Sequence, residues 1–464
     1  MKRGALACLG VGVCVALTGL FPGPVAAQAF RGWVGSRIQM VEVRPLAESG
    51  GVWAPGPEGR SVSAAQDLSL TGWGLGVRGL SVVALLRTRQ RLGSELVWPR
   101  ADDEFDAILA YAQYVRGRLR TRIGRQEMRS GLGFSSFDGG TVSYVGARIH
   151  LEGYGGRSLA RGLREPEREA LRGIEDFVPD QSVDLFGGSA SLRLFGLSLA
   201  SRYQREVLRD RSGLSSERGA LDFSAAMPGM TVTGSLDYDF AFERFGKGHL
   251  TASMPFDHAR WTVQATVLRY VPYFSLSTIW GFFEPVDYQE ASVRAAWSRS
   301  DAFGAWLSGG VRRYGDSETA VVLRALSDVG RRASAGARWR AAKSVTLDGS
   351  YRLEWGPGGF LNSADIAGRW QWSSGVGVSL SATSFQQIEQ FRLGDGRAIG
   401  GGVSIDARLA DRWSLDGGVS LLQHRSSVGP EGGPWNQGRA WLSLRGEIGR
   451  DPGLAAASRR GGRE

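Results

Sequence analysis

Leu221-Asp222-Phe223-Ser224-Ala225-Ala226-Met227-Pro228-Gly229-Met230-Thr231-Val232-Thr233-Gly234-Ser235-Leu236-Asp237-Tyr238 is the stretch that decides the fold. Successive side chains of an extended chain point to opposite faces. Leu221, Phe223, Ala225 and Met227 therefore share one face, and Asp222, Ser224 and Ala226 the other. Pro228-Gly229 turns the chain, and Met230, Val232, Gly234, Leu236 and Tyr238 then alternate with Thr231, Thr233, Ser235 and Asp237. Two strands with one greasy and one wet face, joined by a tight turn, suit a wall between lipid and water.

The unit recurs along the chain. Val293, Ala295 and Trp297 oppose Ser292 and Arg294, and Phe303, Ala305 and Leu307 return after a turn near Ser300-Asp301. Ala335 and Trp339 answer Leu347 and Tyr351 across Ala341-Ala342-Lys343; Trp370 and Trp372 answer Val376 and Val378 across Ser373-Ser374-Gly375; Val403 and Ile405 answer Trp413 and Leu415 across Leu409-Ala410-Asp411. Trp261, Trp297, Phe303, Trp339, Trp370, Trp372 and Trp413 lie beside such turns, the expected positions of an interfacial aromatic girdle. Short turns, Phe195-Gly196 among them, alternate with polar loops near 158–181, 208–217, 272–287, 313–331, 355–362, 387–397 and 424–436. That sorting is the short-periplasmic, long-extracellular asymmetry of outer-membrane barrels. The pattern predicts an all-β, antiparallel up-and-down transmembrane barrel of about 22 strands, within a range of about 18 to 24. No later stretch approaches the roughly 20 apolar residues of a membrane-spanning helix.

Residues 1–29 have the grammar of a cleaved secretory signal: Lys2 and Arg3, an uncharged apolar run from Gly4 to Leu20, a Pro/Gly break and small residues around Ala27. Both cysteines, Cys8 and Cys14, fall inside it, which excludes disulfides and thiol chemistry from the remainder. Residues 30–450 read as the barrel, and 451–464 as a disordered polar tail. The net charge is +10, and Lys2, Lys247 and Lys343 are the only lysines, so the basic character is arginine. In an exported chain such a balance points to anionic lipid or solute and not to nucleic acid.

Enzyme-like motifs fail on context. Gly74-Leu75-Gly76-Val77-Arg78-Gly79 matches a dinucleotide fingerprint, but the strand-like Ser81-Val82-Val83-Ala84-Leu85-Leu86 follows where a helix is needed, so it reads as a hairpin turn. His150, His249, His258 and His424 share no metal-ligand spacing, and no nucleophile motif occurs. The acidic run Asp102-Asp103-Glu104 with Asp106 reads as a solvated loop, and Arg161 to Asp176 as an exposed or infolded one. No catalytic residue, metal or cofactor is expected.

The arginines are the informative set. Arg118, Arg120 and Arg122 alternate with Leu119, Thr121 and Ile123 and so share one strand face; Arg87, Arg89 and Arg91 also share a face, and Arg148 shares one with His150 and Glu152. Charge on the lipid side costs about 2–4 kcal/mol at mid-bilayer, so these side chains are expected in the lumen. Glu127, Asp138 and Glu152 are the candidate opposing acids. A surplus of arginine would favour anions, while pairing among these groups would stiffen the wall instead.

Leu119 to Met128, containing Gly124-Arg125-Gln126-Glu127, followed by Phe137-Asp138-Gly139-Gly140, resembles a strand pair of alginate-export-type and related porin-like outer-membrane barrels. The resemblance covers about 40 residues. It implies a passive channel for a polar or anionic solute, with Arg125, Gln126, Glu127 and Asp138 near the outer or constricted end of the lumen. The chain departs from such barrels at its end, where a polar tail follows the last strand near Ile448 instead of a closing aromatic. The expectation is a porin-like channel for small polar or anionic solutes. About 22 strands also enclose a lumen wide enough for an occupant. The alternatives are therefore a sleeve around a periplasmic partner such as a multihaem cytochrome, or a surface-display barrel. Expected partners are outer-membrane lipid and lipopolysaccharide, the barrel-assembly machinery and, for the sleeve, that periplasmic protein.

Overall fold

The computed structural model describes residues 29–43, 46–49, 52–55, 58–92, 104–159, 183–209, 213–258, 260–271, 287–315, 329–356, 359–388, 396–426 and 434–450. The strands are β1 (Ala29–Val43), β2 (Leu46–Ser49), β3 (Val52–Pro55), β4 (Gly59–Trp73), β5 (Leu80–Arg91), β6 (Glu104–Arg116), β7 (Leu119–Ser130) and β8 (Gly133–Val145). There follow β9 (Ile149–Ser158), β10 (Val183–Leu194), β11 (Leu197–Leu208), β12 (Leu214–Met227), β13 (Met230–Asp239), β14 (Arg244–Phe256), β15 (Trp261–Tyr270) and β16 (Tyr288–Ser300). The last are β17 (Phe303–Tyr314), β18 (Val329–Ala342), β19 (Val345–Gly356), β20 (Gly359–Ser373), β21 (Val376–Ile388), β22 (Gly396–Ala410), β23 (Trp413–Ser426) and β24 (Trp435–Arg450).

All but β2 and β3, which form a separate hairpin, belong to one 22-stranded antiparallel sheet. β1 pairs with both β4 and β24, so the sheet has no free edge. Closure is what hydrocarbon demands, because every backbone N–H and C=O must find a partner within the wall. The signal segment, most of the acidic run near 102, the 158–181 loop and the tail lie outside the described residues.

Register sorts side chains into two solvents. On the outer face Ile123, Val142, Val293, Leu307, Ile366, Leu380, Val403 and Leu421 are exposed, as a lipid-facing belt must be. On the inner face of the same strands lie Ser292, Ser308, Thr383 and Ser404. Both strand ends, Ala29 and Arg450, lie at the rim of the tight turns.

The tight turns fall within two residues of their expected places; Lys343-Ser344 and Asp411-Arg412, for example, close β18–β19 and β22–β23. Gly74, Gly76 and Gly79 all adopt positive φ in the turn after β4, the hairpin use that the following strand implied. Loop lengths, in contrast, are sorted less cleanly than expected. Only residues 131–132, 240–243 and 357–358 separate their strands on the loop rim, and the 208–217 loop shrinks to 209–213. Strands there run past the membrane, so polar composition alone overstates the loops.

Candidate functional site

The lumen is narrowed by the β7–β8 hairpin, whose tip leaves the wall and folds inward. β6 and β7 pair only from Ala110↔Arg125 down to Arg116↔Leu119, so the upper part of β7 has lost its neighbour. Gly124, Gly139 and Gly156 stand in one register row across β7, β8 and β9 on the inner face. Gly124 has φ +124, and a Cβ on Gly139 would sit 2.1 Å from the Gly155 carbonyl oxygen. Only glycines permit the backbones to approach this closely at the bend.

Beyond that row the hairpin lies against the inner face of β9 to β12. Phe137 and Tyr154 rings are 5.9 Å apart, and Met128 packs on the cluster they form with Leu185. Phe137 and Leu185 are each 1% exposed, inside a lumen whose face is largely polar. Gly187 faces Tyr154, where a Cβ would come 2.4 Å from the phenol oxygen; its absence lets the ring lie flat. At the tip, the Leu132 carbonyl accepts from Arg218 Nη2, and Ser135 hydrogen-bonds Gln204. The Asp222 carboxylate lies 3.1 Å from the Cβ position of Gly131.

Eleven strands round the sheet, the opposite wall is β18 and β19. Its inner face carries Arg332 and Arg352, with Arg294 on the nearby β16. These arginines line a recess of about 360 Å³ with Gln264, Thr266, Ser292, Ser308, Ser334 and Glu354. Above it, Arg312 bonds Glu290 and Glu354 at 2.9 Å each, and Arg332 also pairs with Glu290. Tyr270, Tyr288 and Tyr314 follow in the next row, with Arg312 stacked 4.4 Å over Tyr288. Arg294 stacks 4.3 Å over Trp306. Among the described residues neither Arg294 nor Arg352 has a carboxylate partner, so this row holds positive charge in excess. Arg312 and its glutamates brace the wall above.

The expected lumen residues divide into three groups. Arg87, Arg89, Arg120, Arg122 and Glu152 occupy inner-face positions, and Arg87 is held bidentately by Asp67 at 2.6 and 3.1 Å. Arg122 donates to Gln113 and lies over the Tyr111 ring. Arg118 and Arg148, expected on the lumen wall, sit instead in the exposed tight turns, where Arg118 donates to the Tyr144 hydroxyl. Arg125 and Asp138, also expected inside, share the face of Ile123, opposite Arg120 and Arg122. The cause is the seam between β6 and β7. Arg125 forks onto Asp138 at 2.7 and 2.8 Å, and its Nη1 reaches the Ala107 carbonyl beside the vacated ladder. Glu127 shares that strand face but lies on the infolded hairpin, where alternation no longer separates lipid from lumen.

Trp261, Trp297, Phe303, Trp339, Trp370, Trp372 and Trp413 all stand on the outer face beside tight turns. Trp370 and Trp372 stack at 5.5 Å, and Trp297 contacts both Trp261 and Phe303 at 5.9 Å. Sequence reasoning missed the inner tryptophans: Trp33 meets Arg445 as Trp306 meets Arg294. Alternation places Trp306 opposite Leu307, a usable signal for an inward ring. It likewise sets Arg332 and Arg352 opposite Ala333 and Leu353. The glycine row, in contrast, is visible only once three strands are in register.

An apolar belt around a closed 22-stranded cylinder makes this chain a bacterial outer-membrane barrel, with the tight turns at the periplasmic rim. No protein family and no curated protein matches the sequence. Among solved structures, the chain resembles the ferric enterobactin receptor PfeA of Pseudomonas aeruginosa (TM-score 0.55, 12% identity, 91% of this chain and 81% of that one). It also resembles the siderophore receptor PirA of the same organism (TM-score 0.54, 14% identity, 90% and 80%). The porin OccK2 of that organism, solved with glucuronate, aligns at TM-score 0.44 and 12% identity over 90% of this chain and 98% of its own. What the two receptors share with this chain is the fold, a large antiparallel β-barrel.

Proposed function

We propose that the chain is a passive channel for small polar solutes with a preference for anions, in keeping with the alginate-export-type resemblance of its 119–140 segment. The observation that carries this reading is the excess positive charge of Arg294 and Arg352, on the wall facing the infolded hairpin. An anion passing between hairpin and wall would trade part of its hydration for guanidinium and serine donors at Ser292, Ser308 and Ser334. Conduction requires such contacts to be weak enough to release the solute. Arginine suits this role because its planar fork meets carboxylate or phosphate oxygens pairwise.

The test is a planar-bilayer recording of the purified protein under a salt gradient. Wild type should conduct with an anion-selective reversal potential, and Arg294→Glu with Arg352→Glu should move that potential towards cation selectivity. An unchanged potential would remove this wall from the account, and a protein that does not conduct would remove the channel itself.

A further inference from the structure

The outer face of β15 to β23 carries charge in only one place. From the tryptophan girdle up to the loops, its outward positions among the described residues hold five charged side chains, Arg269, Arg313, Arg331, Arg397 and Arg425. Each stands within three residues of the loop end of its strand, each is exposed, and no outward carboxylate accompanies them on these strands. Asp287, in the loop segment before β16, lies 3.7 Å from Arg269.

Two placements show that these cations are not dispersed for solubility. Arg397 and Arg425 are direct cross-strand partners on β22 and β23. Like charges set opposite one another, with Cβ atoms about 5 Å apart, oppose pairing unless an anion lies between them. Arg269 and Arg313 flank Gln289 in one row, about 10 Å apart at ordinary strand spacing. Arg331 is the diagonal neighbour of Arg313. Trp355 stands beside Arg331 as its cross-strand partner, and below the cations are Val267, Val311 and Tyr351, all four outward and exposed. Cations above and apolar side chains beneath match a molecule with phosphates at its head and acyl chains below.

We propose that this arginine rim binds the phosphorylated glycolipid of the outer leaflet. One phosphate would sit between Arg397 and Arg425 and another among Arg269, Arg313 and Arg331, with the acyl chains running down the belt. The loop rim faces that leaflet, whereas the tryptophan girdle on the same strands meets the periplasmic side. The site lies outside the cylinder and is independent of the lumenal arginines and of what passes them.

The experiment uses the full mature chain in phosphatidylcholine nanodiscs, with lipid A carrying both phosphates as probe and native mass spectrometry as readout. Binding at least ten-fold tighter than to the same lipid A stripped of phosphate is expected, with Arg397→Gln plus Arg425→Gln lowering it at least ten-fold. Arg294→Gln, inside the lumen, should leave it unchanged, and the rim variant should leave conductance unchanged. Equal binding of dephosphorylated lipid A, equal binding of phosphatidylglycerol, or full binding by the rim variant would overturn the proposal. If the first pair fails to show the heat-modifiable gel mobility of a folded barrel, Arg313→Gln with Arg331→Gln is read by the same criteria.

Discussion

Ser292 and Val293 are neighbours in the chain and live in different solvents. Ser292 lines the lumen recess, while Val293 is 53% exposed on the lipid side. An arginine at the first position keeps its water; at the second it must shed it or distort the bilayer. Val293→Arg should therefore lower unfolding free energy by about 2–4 kcal/mol, and Ser292→Arg by about 0.5 kcal/mol. Urea titration of the refolded protein in vesicles reads both, and equal losses would mean that the faces are wrongly assigned. Arg125 shows the limit of such reasoning. Its outward parity is tolerated because Asp138 and the Ala107 carbonyl occupy its fork, which no residue-by-residue rule foresees.

At the scale of the element, the β7–β8 hairpin is a strand pair diverted from its sheet. Gly139→Val would drive side-chain carbon into the Gly155 carbonyl and hold the hairpin in the wall. Single-channel conductance should then rise, and an unaltered conductance would show that the tip does not restrict flow. Gly131→Cys with Asp222→Cys gives a more direct check, since the two sites are in contact. Mild oxidation should cross-link them within one chain and shift gel mobility; failure to do so would place the tip elsewhere. Alternation and the tight turns made the strands legible in the sequence, including the pairing of β12 with β13. The inward fold was not legible. It depends on contacts such as Ser135 with Gln204 and Leu132 with Arg218, 69 and 86 residues apart, between segments with no shared pattern. The arginines of the opposite wall could have been read, because Arg294 already stood on the polar side of its strand.

At the scale of the molecule, strand number was legible because each strand announces itself separately and the count is their sum. The loop asymmetry was only partly legible, since polar residues beyond the bilayer belong as readily to an extended strand as to a loop. One feature of the closed wall governs how the molecule is made. β1 meets β24 over twelve consecutive residue pairs, Phe30↔Arg450 to Val41↔Arg439, and Gln437 donates to the Glu42 carbonyl across 395 residues of chain. The first strand synthesised must wait for the last, and until it arrives both carry raw hydrogen-bonding edges that invite pairing with other chains. Removing Trp435–Arg450 should thus yield a protein that aggregates or is proteolysed before membrane insertion, seen as loss of the heat-modifiable band. The barrel is a ring that exists only when its two ends meet, and the time between them is its period of greatest exposure.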